Sequence, residues 1–176
     1  MSQVNAVVPA ADGTFRFIGI GVGPYTFTCQ LPAELAKVWK LRSAVVDGRD
    51  LLDAPIEGPA IQLTGVTLTL SDKRTELAGT LQSPAGQPAT EYYVIAFSAE
   101  RSHWRPGSRR SLSARPGTDG RFSFADLPAG EYFLAALTDL DPAEWQTAAF
   151  LEQVVPAGVK VIVTDGAKTT QDLRIR

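Results

Sequence analysis

The chain carries one pattern twice: "DGTFRFIGIGVGPYTFTC" at 12–29 and "DGRFSFADLPAGEYFLAA" at 119–136. The two align without a gap, pairing Asp12 with Asp119, Gly13 with Gly120, Phe15 with Phe122, Phe17 with Phe124, Gly23 with Gly130 and Tyr25 with Tyr132 at one constant offset. Six identities in one register, each with a structural task, argue for an internal repeat. Asp-Gly tolerates the positive φ of a hairpin-type turn. Phe-x-Phe then puts both rings on one face of a strand, because strand side chains alternate. A breaker follows, "IGVG" or "LPAG", and then a second strand led by Tyr.

The remaining segments continue in strands and turns. "TELAGTLQ" (75–82), "EYYVIAFSA" (91–99), "GVTLTLSD" (65–72), "GVKVIVTDG" (158–166) and the closing "QDLRIR" are rich in β-branched or alternating apolar residues. "KLRSAVVDGRDLLD" (40–53) places the Asp47-Gly48 turn between two apolar runs. Helical content is expected only in "PAELAKVW" (32–39) and "DPAEWQTAAFLEQV" (141–154), the latter with Asp141 as N-cap, Pro142 at the first position and Glu144 at the third. Many short strands between Gly and Pro turns predict an all-β chain of sandwiches with one or two short helices. The boundary between the two copies falls near residue 75, giving units 1–75 and 76–176.

At 176 residues, with 44% hydrophobic and 20% charged residues, the chain can bury a core. A formal net charge of -2 offers no overall field to gather nucleic acid or an anionic membrane. The first residues, "MSQVNAVVPAADG", have no basic n-region and no unbroken apolar run, and no stretch of 18 apolar residues occurs anywhere. Insertion into a membrane is not expected. Cys29 is the single cysteine, so no internal disulfide framework exists.

"TELAGTLQSPAGQPATEYYVIAFS" followed by "DGRFSFADLPAGEYFLAAL" resembles the carboxypeptidase regulatory-like domain across 77–176, with its Gly-Thr strand, Gly-x-Pro turn and Asp-Gly-x-Phe-x-Phe-x-x-Leu-Pro-x-Gly-x-Tyr motif in order. The resemblance implies a seven-stranded antiparallel sandwich of transthyretin or prealbumin type, and a non-catalytic module of a secreted or envelope protein. It implies tandem copies, the second complete. Copy one departs from the pattern, since the counterparts of "GTLQ" and "YYVIAFS" would precede Met1. Either more chain precedes it or another element covers its open edge, and an open edge is a template for a further strand. Val4, Ala6, Val8, Phe15 and Phe17 are the residues expected to line that assembly edge, with self-association or another protein as partner.

Residues able to carry chemistry are few. His103 is the single histidine, so neither a His-rich zinc centre nor a triad with a second imidazole can be built, and it reads as a loop residue. Cys29 shares a strand face with Tyr25 and Phe27 and reads as a buried structural thiol. Asp139, Asp141 and Glu144 fall short of a calcium site. Trp39, Trp104 and Trp145 form either a sugar platform or core, with core expected for at least two. "ERSHWRPGSRRSLSARPGTDGR" (100–121) concentrates Arg101, Arg105, Arg109, Arg110, Arg115 and Arg121 around Trp104. Such a loop either clamps carboxylates, sulfates or phosphates of an acidic glycan or peptide, through Arg101, Trp104, Arg105, Arg109 and Arg110, or pairs with the chain's own Asp and Glu. No catalytic constellation, metal or cofactor is expected.

Overall fold

The computed structural model describes residues 6–18, 25–53 and 64–175. Val4, the whole "IGVG" breaker (20–23) and the chain between Asp53 and Thr64 lie outside the described residues.

Residues 76–175 form the larger body, a sandwich of two sheets. In the first, β4 (Glu76–Gln82) pairs antiparallel with β7 (Arg121–Ala125) on one side. On its other side run β10 (Lys168–Thr170) and β11 (Leu173–Arg174), two pieces of one edge in the same register. The second sheet has the order β6-β5-β8-β9, built from β5 (Tyr93–Ser98), β6 (Ser111–Ala114), β8 (Gly130–Leu137) and β9 (Val159–Val163), all antiparallel. Alternation along each strand drives the packing. Leu77 and Leu81 of β4, Phe122 and Phe124 of β7 and Leu173 meet Val94, Ala96, Tyr132, Leu134, Val161 and Val163 from the facing sheet. Tyr132 is fully buried, and its hydroxyl donates to the carbonyl of Pro128 at 2.7 Å, which satisfies a polar atom that burial would otherwise strand.

The edge break between β10 and β11 explains Gly79. A Cβ built there would lie 1.9 Å from the Gln171 carbonyl oxygen, so only a glycine lets that arch pass. Asp172 then fills the broken ladder by accepting the Thr80 amide at 2.7 Å and its hydroxyl at 2.8 Å.

The outer face of the second sheet is covered as well. Ile95, Phe97 and Ala135 pack under Trp145 and under Leu151 and Val154 of helix α2 (Ala148–Val154), with Trp104 and Phe133 at the margin. The sandwich is therefore a three-layer body on that side. Among the described residues, no helix is long and apolar enough to cross a membrane.

Ahead of it lies a smaller sheet with the order β2-β1-β3: β1 (Lys40–Val46), β2 (Arg49–Asp50) and β3 (Thr67–Ser71). Its own cluster is Ala44, Val46 and Leu51 with Phe27, Leu52, Val66 and Leu68 beside them. A short helix α1 (Ala33–Ala36) precedes β1.

Four expectations are corrected. The sandwich is mixed and not purely antiparallel, because β10 and β11 run parallel to β4. In the first copy of the repeat the two strands are absent among the described residues, where 14–18 and 26–30 join no ladder and Tyr25 makes an isolated bridge. Helix α2 starts at Thr147, whose hydroxyl accepts the Phe150 amide at 3.3 Å, because Asp141 is already spent on a turn in which it accepts the Ala143 amide. Cys29 is exposed, since no sheet among the described residues lies against its segment.

One part of the repeat does hold. At 10–14 the Gly13 amide bonds the Ala10 carbonyl (2.9 Å), the Ala10 amide bonds the Thr14 carbonyl (2.8 Å), and Asp12 accepts the Thr14 amide (2.9 Å). At 117–121 Gly120 bonds Gly117 (2.8 Å), Gly117 bonds Arg121 (2.8 Å), and Asp119 accepts the Arg121 amide (3.1 Å). The Phe15–Phe17 rings lie 6.0 Å apart and the Phe122–Phe124 rings 5.9 Å. The turn is local chemistry and forms in both places.

Candidate functional site

The arginine-rich stretch is less a loop than a folded brace. Residues Arg101–His103 make a turn of 3-10 helix, and 111–114, expected as loop, is strand β6. The Ser98 amide bonds the Arg110 carbonyl (3.0 Å), Trp104 Nε1 donates to the Ser98 carbonyl (2.7 Å), and Gln146 grips both ends of the second half, accepting the Gly107 amide (2.8 Å) and donating to the Ser111 carbonyl (3.1 Å). Trp104 packs edge-on against Phe97 with ring centres 5.9 Å apart.

This brace gathers Arg105, Arg109, Arg110 and His103 at one place and disperses the rest. Arg101 lies over Trp104 and pairs with Glu152 of α2. Arg115 stacks on the Tyr93 ring at 4.4 Å, and Arg121 stands beside Asp119. Trp145 and Trp104 belong to the layer under α2, while Trp39 is exposed elsewhere, so the three indoles form no common platform. Of the proposed edge residues, Phe15 and Phe17 are half-buried, and Ala6 and Val8 are exposed, Val8 at 90%.

Two residues that sequence reasoning missed complete the site: Asp50 and Asp53. The Asp47-Gly48 turn, with φ of 49° and 75°, folds β2 back on β1, and the Asp53 amide bonds the Asp50 carbonyl at 3.1 Å. Asp50 Oδ1 is held by the Ala44 and Leu52 amides at 3.0 and 3.1 Å. Arg109 spans the pair, with Nη2 to Asp50 Oδ2 at 2.7 Å, Nε to Asp53 Oδ1 at 2.8 Å and Nη1 to the Arg42 carbonyl at 2.9 Å. Arg110 Nη2 reaches Asp53 Oδ2 at 2.9 Å, while its Nη1 donates to the Ala129 carbonyl at 3.0 Å and leans on the Tyr132 hydroxyl. Arg105 donates to the Asp53 backbone carbonyl. No sequence signal links Asp50 and Asp53 to arginines more than fifty positions away.

The electrostatics follow from burial against pairing. Burial, the largest influence, pushes the Asp53 carboxyl up, but hydrogen bonds from Arg110 and Arg109 and the charge of both hold it at about 2. Burial first, then the charge of Arg110, lowers His103 from 6.5, with Asp53 and Glu100 opposing. Burial raises the Tyr132 hydroxyl.

Ser98, His103 and Asp53 stand in the order of a nucleophile, base and acid, with 3.0 Å from Ser98 Oγ to His103 Nδ1 and 4.0 Å from His103 Nε2 to Asp53. The geometry does not serve hydrolysis. The acid is beyond hydrogen-bond reach of the imidazole and committed to two guanidiniums, and Ser98 is only 2% exposed and accepts the Glu100 amide. Asp139 and Asp141 cap their own turn amides, and no group of three or more His, Cys, Asp or Glu suited to a metal occurs among the described residues.

No family model matches the chain, and no curated protein matches it. Among solved structures, a streptococcal ancillary pilin aligns at 12% identity over 77% of this chain and 43% of its own, with a TM-score of 0.41. The Bacillus anthracis TIE protein aligns at 11% over 64% of this chain, TM-score 0.39, and this chain spans only 19% of its length. The dioxygenase domain of a carbohydrate-binding fusion from Streptomyces sp. SirexAA-E aligns at 12% over 58% of this chain and 79% of its own, TM-score 0.35. At these scores the likenesses assign neither a family nor an activity.

Proposed function

We propose that this chain is a non-enzymatic structural or adhesive module of an extracellular or envelope protein. It comprises two units meeting near residue 75, the second of carboxypeptidase regulatory-like, transthyretin type. The first is an unfinished copy that a strand from a neighbouring chain completes, head to tail. A heterologous contact of that kind builds filaments unless it closes into a ring.

The observation that carries this reading is the repeated turn. Residues 10–14 form the same hydrogen bonds as 117–121, yet the Phe-x-Phe that becomes β7 beside β4 in the second copy joins no ladder in the first. Val8 and Ile18 around it are 90% and 81% exposed, apolar side chains that a paired strand would cover. Light scattering of the purified chain over a concentration series, with electron microscopy of the same samples, tests it. Mass is expected to grow with concentration, and Phe15→Asp with Phe17→Asp to stop the growth. A constant 18.9 kDa species at every concentration sinks the reading.

A second reading, recognition of acidic glycans or peptides through Arg101, Trp104, Arg105, Arg109 and Arg110, has one observation in its favour: Arg109 and Arg110 converge on a pair of carboxylates, and Arg105 joins them on the Asp53 main-chain carbonyl. Salt separates the two, since a cationic clamp weakens with ionic strength while an apolar strand contact survives it.

A further inference from the structure

The convergence of Arg105, Arg109 and Arg110 on Asp50 and Asp53 joins two parts of the molecule that share no core. The apolar cluster of the small sheet and the two clusters of the sandwich have no residue in common. What holds the parts together near β1 is polar: Arg109 and Arg110 on the two aspartates, Arg42 on Asp165 and the Leu127 carbonyl, and Lys40 on Asp126.

The hairpin and the backbone of the cradle are each held from within, and so is Arg110, whereas the Arg105 and Arg109 side chains take their partners from the hairpin and β1. The cradle is braced from within the sandwich, by Gln146, by the Trp104 indole on Ser98, and by the Ala129 carbonyl and Tyr132 hydroxyl on Arg110. The carboxylate pair is braced within the hairpin, by the Ala44 and Leu52 amides on Asp50 and by the turn from Asp50 to Asp53. With hairpin and cradle backbone already formed, recognition orders chiefly the Arg105 and Arg109 side chains, at modest cost. Arg109 and Arg110 lose both carboxylate partners whenever the hairpin leaves, and a hairpin carrying the same two carboxylates restores them.

We propose that this cradle is a receptor for an Asp-x-x-Asp turn, and that its exchangeable ligand is the 47–53 hairpin of a second copy of this chain. Within one chain the four residues 72–75 join β3 of the small sheet to β4 of the sandwich and so keep hairpin and cradle close, which favours the closed form at low concentration. At high concentration the hairpin of one copy docks in the cradle of the next, with the same bonds now between chains. This exchange stands apart from the edge at 14–18, which uses none of these residues.

Complementation tests it. A full-length chain with Asp50→Asn and Asp53→Asn keeps a free cradle, and one with Arg109→Gln and Arg110→Gln keeps a free hairpin. Both carry Phe15→Asp and Phe17→Asp, so that association through the edge cannot be mistaken for docking. Sedimentation of each alone and of a 1:1 mixture, with circular dichroism to establish folding, is expected to show a complex in the mixture only. Raising salt from about 50 to about 500 mM is expected to weaken it about tenfold or more. Separate, folded species in the mixture up to about 1 mM, a weaker contact than one tethered clasp implies, overturn the proposal. So does a complex indifferent to salt. If either variant is unfolded, a synthetic peptide of residues 40–53 titrated onto the wild-type chain replaces it: competition that opens the small sheet to hydrogen exchange supports the exchange, and none overturns it.

Discussion

Asp53 is the residue on which the polar junction turns. Its carboxylate accepts from Arg109 and Arg110 and its carbonyl from Arg105, so one side chain and one peptide group engage all three cations. A carboxyl held at about 2 against an ordinary 3.8 contributes about 2 kcal/mol to the folded state, complete above the ordinary value and lost as pH falls through 2. His103 works in the same direction higher up. Its folded value lies below 6.5, so the neutral imidazole is preferred, and its contribution is complete above 6.5 and declines as pH drops beneath it. Carboxyl carbon shifts followed by NMR are expected to place the Asp53 midpoint near 2, and Arg110→Ala to move it up toward 3.8. A midpoint near 3.8 in the unaltered chain would mean that the guanidiniums do not hold the carboxylate.

Among the elements, β4 is the strand that everything else is laid against. It pairs with β7, β10 and β11, contributes fully buried Leu77 and Leu81 to the core, and carries Gly79, whose missing side chain makes room for the Gln171 backbone. Gly79→Ala is expected to cost about 3 kcal/mol, as overpacking against a carbonyl does, read as a lower urea midpoint with unchanged slope. A loss under about 0.5 kcal/mol would show that the arch at Gln171 yields freely. The turn at 10–14 forms from its own residues, but a strand needs a neighbour, and Phe15 and Phe17 have no β4 beside them among the described residues.

At the scale of the whole molecule, the sandwich and the small sheet differ in how they are held. The sandwich is closed by two apolar clusters, one between its sheets and one under α2. The small sheet has a modest cluster of its own and meets the sandwich through half-buried ion pairs, the kind of contact that salt weakens where a core does not. Hydrogen exchange at 44–53 is therefore expected to speed up between about 50 and about 500 mM salt while β4, β5 and β8 stay protected. Equal response of both regions would mean that one cooperative core spans the chain.

Much of this architecture was legible in local pattern. Alternation located β3, β4, β5 and β9, the Asp-Gly pairs located the turns at 47–48 and 119–120, and the repeat located β7 and β8, because strand periodicity and turn chemistry are properties of neighbouring residues. Composition and the dense run of arginines likewise marked where charge would concentrate. What no local pattern carried was partnership. The parallel course of β10 and β11, the burial of Trp145 under α2, the exposure of Cys29 and the meeting of Arg109 with Asp50 and Asp53 all depend on which distant segments come together. Burial and ion pairing are set by long-range contacts, and those exist only once the chain has closed.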